Sequence, residues 1–238
     1  MNPPLEHEVK SALAWLERQG TRRVRDGMAR YGIPSDKAFG VSVGAIQRLA
    51  KRLGRNHALA AELWESGFYE ARMLAAFVDE PARVPTAQMH TWCRDFDSWA
   101  IVDTVCFHLF DRTPHAWGMV APWSRRRGEF ARRAAFALLA SLALHDRGAA
   151  DELFARGLIL IEGAATDDRN FVKKGVNWAL RAIGGRNAAL NVAALSVARR
   201  LAASPNAAAR WVGKDALRKL ASPAVTRRLA ARRRKAQE

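Results

Sequence analysis

EFARRAAFALLASLALH, residues 129–145, decides the fold. After its two arginines the body, AAFALLASLAL, is apolar on every side of a 3.6-residue wheel. A helix of that kind is buried all round and lies at the centre of a core. From Phe130 onward helices come in pairs, with a spacing of about 40 residues from Arg133 to Lys173 and on to Lys214, the period of HEAT-like repeats. Stacked pairs of this type build a curved α-α superhelix, a solenoid with a concave surface.

The rest of the chain reads the same way. Leu5, Val9, Leu13 and Leu16 mark a first helix over 5–18, and a basic one follows over 21–31. Gly32, Pro34 and Gly40 break the periodicity in YGIPSDKAFGVS. Further helices open at Ser42 or Val43, near Leu59, at Tyr69 and at Thr86. Pro122 begins a break after a short helix over 116–121. Asp167 or Asp168 caps a helix over 171–183, which Gly184-Gly185 ends. Asn187, Asn206 and Pro223 open the last three. No period-2 run and no hairpin dipeptide occurs. The fold class is all-α, one domain over 1–238.

The chain has 238 residues and a formal net charge of +16. Such an excess points to a polyanion, nucleic acid first; an Ala- and Arg-rich composition is the plainer source of it. There is no 18-residue apolar run and no signal peptide, which argues against a membrane. Cys93 and Cys106 form no CxxC pair and suit a reducing cytosol. His90 and Cys93 lack the partners a zinc site needs. No glycine-rich phosphate loop is present. The expectation is no metal and no cofactor. The basic tail, RRLAARRRKAQE, is a solvated helix end that adds non-specific phosphate affinity.

Three places carry candidate chemistry. FDSWAIVDTVCFHLF, residues 96–110, reads as a helix buried almost all round, with Asp97 and Ser98 as cap types. Its single internal carboxylate, Asp103, shares a stripe with Trp99, Phe107 and Phe110. A carboxylate among aromatics is costly to bury unless paired or used. It is either a structural group satisfied by an arginine or backbone N–H groups, or a site carboxylate. Arg132 and Arg133 oppose the macrodipole at a helix start, so Glu129, a core carboxylate such as Asp103, or a phosphate should hold them. Trp178 sits at the edge of a core stripe of Phe171, Val172, Gly175, Val176, Ala179, Leu180 and Ile183, beside Lys174 and Arg181. A cation-rimmed indole suits a nucleotide; the alternative is an edge tryptophan covered by lysine and arginine stems.

The ordered set W-x-x-x-D at Trp99 and Asp103, R-A-A-F at Arg133 and K-x-x-x-W-x-L-R around Trp178 resembles the AlkD branch of the AlkC/AlkD DNA alkylation repair glycosylases, most firmly from Trp92 to Arg181. That resemblance implies HEAT-like repeats with a concave basic DNA-binding cleft. It also implies a monofunctional glycosylase that hydrolyses the N-glycosidic bond of N3- and N7-alkylated purines in duplex DNA. Asp103 is then the catalytic carboxylate, Trp99 and Trp178 the aromatic walls, and Arg133 the cleft arginine. Arg132, Lys174, Arg181 and Lys214 contact DNA. Ser42 stands where the family often has a glutamine in the loop before the third helix, and the segment from Arg133 to Trp178 is somewhat longer than in other members. The implied protein is a cytoplasmic, nucleoid-associated monomer. No lysine lies between Phe96 and Phe136, which disfavours a Schiff-base lyase step, with Lys174 the one nearby amine. An open solenoid offers no deep pocket for a flipped base. The competing expectation is a non-catalytic HEAT-repeat module that binds nucleic acid or protein.

Overall fold

The structure, a computed structural model, describes residues 3–235, with side chains for residues 4–231. The end of the basic tail, from Arg232 on, therefore lies outside the described side chains. The elements are α1 (Pro3–Gln19), α2 (Arg22–Met28), α3 (Val43–Leu53), α4 (His57–Glu65), α5 (Tyr69–Val78), α6 (Thr86–Arg94), α7 (Trp99–His108), α8 (Ala116–Ser124), α9 (Glu129–His145), α10 (Asp151–Ala164), α11 (Asn170–Gly184), α12 (Ala188–Ala202), α13 (Ala207–Leu220) and α14 (Pro223–Lys235). Short 3₁₀ turns follow α2, α5 and α7, and no strand occurs among the described residues. The chain falls into two compact units, Met1–Ala116 and Trp117–Glu238.

In the second unit alternate helices stack. One row is α9, α11 and α13; the other is α10, α12 and α14. This is the helix-pair repeat that the 129–145 stretch implies. Ala134 to Ala143 of α9 are buried without interruption, because α9 packs broadly on α11. Small residues set the spacing. A Cβ at Gly213 would lie 2.2 Å from the backbone nitrogen of Ala202, so α13 seats directly on the backbone of α12.

In the first unit α3, α5 and α7 form one row, and α4 packs on α1 and α5. The irregular stretch before α3 is pinned from below by Glu70 of α5, which is 0% exposed. Its Oε2 accepts from the N–H of Phe39 (2.9 Å), and its Oε1 from those of Gly40 (2.7 Å) and Val41 (3.1 Å). Three donors in a row satisfy a buried charge without a cation. Gly40 adopts φ +85, and a Cβ there would meet the Thr21 carbonyl at 2.3 Å. Only glycine fits both constraints.

Several boundaries depart from expectation. Pro122 lies inside α8, near its end, and the helix continues to Ser124; the proline removes one N–H from the ladder without ending the helix there. Leu109 leaves the helical region at φ −132, so Phe110 belongs to a 3₁₀ turn and is fully buried, off the Asp103 stripe. Neither Asp167 nor Asp168 caps α11. The Phe171 N–H in its first turn donates instead to Glu129 Oε1 of α9, at 3.1 Å.

Candidate functional site

In the first unit, Ser98 caps α7 by accepting from the Ile101 N–H. The helix is not buried all round. Ala100, Ile101, Val102, Val105 and Cys106 are buried, whereas Trp99, Asp103, Thr104, Phe107 and His108 are half-buried. The half-buried set is one continuous face. Trp99, Asp103 and Phe107 succeed one another at i, i+4 and i+8 on it, so their side chains are neighbours. The carboxylate therefore stands in an aromatic stripe that reaches solvent.

Trp99 is held in place from both ends. Its indole N–H donates to the Tyr31 carbonyl at 2.8 Å, and its ring packs, with Tyr69, on Met28, Ile33, Ala38 and Ala100. Burial, with the charges of Glu70 and Asp97 behind it, pushes the Tyr69 hydroxyl up to about 12. That phenol stays protonated at any physiological pH. Ser42 is exposed at the start of α3, and its hydroxyl makes no cap hydrogen bond.

In the second unit, Arg132 is held by a partner that sequence reasoning missed. Its Nη1 lies 2.9 Å from Asp167 Oδ2, and Asp167 also receives Arg169 through Nε (2.9 Å) and Nη2 (2.6 Å). The Arg169 guanidinium holds the Asp167 carboxyl below the usual carboxylate range. A lowered native pKa contributes stability above the unfolded value and loses it as pH falls through the native one. Asp167→Asn is expected to lower unfolding free energy by about 2 kcal/mol at neutral pH. In urea titrations that deficit should persist down to about pH 4 and vanish in stronger acid, where the wild-type carboxyl is protonated too.

Arg133 is 5% exposed. It donates from Nη1 to the Phe171 carbonyl at 2.6 Å, and its stem crosses α11 at Gly175, where a Cβ would sit 3.4 Å from Arg133 Cγ. Trp178 is half-buried at the rim of α11, beside exposed Lys174 and half-buried Arg181, while Val172, Val176, Ala179, Leu180 and Ile183 are buried. Arg181 pairs with Asp215 of α13 at 3.4 Å. Asp215 also takes the Asn177 amide at 2.8 Å and the Arg218 guanidinium. Lys214 is exposed on α13.

One aromatic in this row escaped the reading of the sequence. Trp211 of α13 is 41% exposed, with Lys173 Nζ 5.2 Å from its ring centroid. The signal was present: Trp211, Lys214 and Arg218 are spaced i, i+3 and i+7, the same indole-with-cations pattern as Lys174, Trp178 and Arg181. Two arginines elsewhere are engaged within the fold or at its surface. Arg186 donates to the carbonyls of Ala143 and Ala149 and lies over Phe154, and Arg200 pairs with Glu162 at 2.7 Å. Among the described residues no helix is long and apolar enough to cross a membrane.

The sequence profile of a family described as DNA alkylation repair enzyme matches residues 12–220. No curated protein matches the chain. One solved structure is 20% identical, over 89% of this chain and 95% of its own, with a TM-score of 0.74; it is described as a new family of proteins related to the HEAT-like repeat DNA glycosylases with affinity for branched DNA structures. At that identity the likeness concerns the fold, which is HEAT-like. A designed armadillo repeat protein aligns at 14% identity over 83% of this chain and 99% of its own, with a TM-score of 0.34.

Proposed function

This chain belongs to the DNA alkylation repair enzyme family, and on that premise we propose that it is a monofunctional DNA glycosylase. Its substrates are purines alkylated at N3 or N7 in duplex DNA. The observation that carries this reading is Asp103, a half-buried carboxylate in the Trp99–Phe107 stripe.

Alkylation at N3 or N7 places a positive charge on the purine, which then leaves as a neutral base with little need of acid catalysis. As the bond from C1′ to the base nitrogen breaks, the sugar gains oxocarbenium character. Asp103 stabilises that cation and orients a water; the water adds to C1′, and the carboxylate takes its proton. Trp99, oriented by its bond to Tyr31, offers an indole face to the cationic nucleotide. In the second unit the half-buried indole of Trp178 faces DNA on its own account, and Lys174 and Lys214, both exposed, meet phosphates. Arg132 and Arg133 act chiefly by fixing α9 to the start of α11, since their guanidinium groups are engaged there. Ser42 reaches the strand from the start of α3.

Incubating the protein with duplex DNA carrying N7-methylguanine tests this reading directly. Free N7-methylguanine should accumulate, with the phosphodiester backbone uncut until the abasic site is cleaved by alkali. DNA that retains every methylated base would refute it.

Binding to undamaged duplex should be sequence-independent and strongly salt-dependent. Lys174→Ala should reduce the slope of log affinity against log salt by about one. Arg181→Ala should reduce it by clearly less, because that guanidinium is already paired with Asp215. Equal effects of the two substitutions, measured by fluorescence anisotropy across a salt series, would contradict this assignment.

A further inference from the structure

We propose that a groove between α3 and α5 binds a single unpaired deoxynucleotide of a DNA strand, its base against Phe77 and its phosphate between Lys51 and Arg55. This inference rests on DNA as the partner and is independent of the glycosylase chemistry.

The groove has a volume of about 290 Å³ and is lined by Gln47, Ala50, Lys51, Gly54, Arg55 and Phe77. That is the scale of one small ligand. Its charge is one-sided, with two cations, one amide and no carboxylate in the lining. Arg55 is anchored without being neutralised. Its guanidinium donates to the backbone carbonyl of Asp79, leaving its other donors and its full charge. The Asp79 carboxylate is buried and occupied by His57 (2.6 Å), Gln88 (2.6 Å) and the Glu80 N–H (2.7 Å). Lys51 has no carboxylate partner among the described residues.

Phe77 supplies the apolar wall. It is half-buried, and its ring is held 4.9 Å from that of His108 on α7, at 60°. Gly54 ends α3 at φ +73, and a Cβ there would touch nothing within 4 Å, so the rim beside Lys51 and Arg55 is open to a strand. Cations along one edge, a π face at the wall and a Gln47 amide at the rim are the chemistry of a single-stranded nucleotide site. Stacking there is tolerant of base identity, and the phosphate supplies the electrostatic term. An acidic peptide would use the cations and leave the aromatic wall without a partner.

The test is equilibrium binding of the full chain to an undamaged duplex and to the same duplex with one bulged nucleotide. The bulged DNA should bind about tenfold tighter, the effect of one base–aromatic stack. Phe77→Leu keeps an apolar side chain there and removes the ring face; it should abolish the preference while retaining the affinity for paired duplex and a cooperative melting transition. Lys51→Ala and Arg55→Ala should each lower the salt slope for bulged DNA by about one. Deoxyadenosine monophosphate should compete for the bulged DNA better than inorganic phosphate at equal concentration.

Equal affinity for the two DNAs, a preference that survives Phe77→Leu, or equal competition by phosphate alone would overturn the proposal and reduce the groove to a backbone contact. Base release from methylated DNA is a separate readout. A protein without glycosylase activity that keeps the bulge preference sinks the proposed function alone, and an active enzyme without the preference sinks this inference alone.

Discussion

Asp103→Asn is expected to slow release of N7-methylguanine from duplex DNA about a hundredfold in single turnover, a loss of about 2.7 kcal/mol of transition-state stabilisation. The substitution keeps the shape of the side chain and removes its charge. The charge matters most when the sugar carries oxocarbenium character, so the loss should fall on the rate and spare affinity. Affinity for DNA should be unchanged or raised, because a carboxylate repels nearby phosphates. Asp103 is half-buried on α7, so the melting temperature of the asparagine variant is the control that separates a folding defect from a catalytic one. A folded variant with wild-type excision would remove Asp103 from the mechanism. A sharp drop in melting temperature, in a protein that never releases a base, would instead make Asp103 a structural group in a DNA-binding module.

The second large effect is on stability. Glu70→Ala should cost about 4 kcal/mol, because it strands three backbone donors at Phe39, Gly40 and Val41 in a site closed to solvent. Hydrogen bonds to a charged acceptor contribute roughly 1.5–3 kcal/mol each, and a water entering the vacated space would recover part of the sum. Glu70→Gln should cost less, since it keeps one carbonyl oxygen facing the donors, but it turns an amide donor toward the others. Urea unfolding measures the loss. Hydrogen exchange locates it: the amides of Phe39 to Val41 should lose protection before those of α5. A loss below about 1 kcal/mol would mean the stretch before α3 is held by its other bonds, such as Tyr69 N–H to the Lys37 carbonyl at 2.8 Å. This stretch also leads to Ser42, so the alanine variant should weaken DNA binding beyond what its unfolded fraction explains.

What the sequence by itself determined is whatever closes within a turn or repeats along a helix. Ser98, Asn187 and Asn206 cap helices by accepting from an N–H three residues on, so the cap and its partner are read together in one short string. The apolar run of α9 and the edge position of Trp178 follow from 3.6-residue periodicity, as does the stripe shared by Trp99, Asp103 and Phe107.

Only the tertiary structure decided the partners of charges and the faces left open. Arg132 pairs with Asp167, 35 residues away, and Arg181 with Asp215. The N–H of Phe171 is taken by Glu129, 42 residues earlier. The groove at Phe77 needs α3 and α5 side by side. A buried charge or an orphan N–H takes whichever complementary group the stacking of helices brings within 3 Å or so, and residue spacing along one chain does not encode that. The same stacking covered one face of α7 and left the face of Asp103 half-open, which turns an apolar helix into a candidate active site.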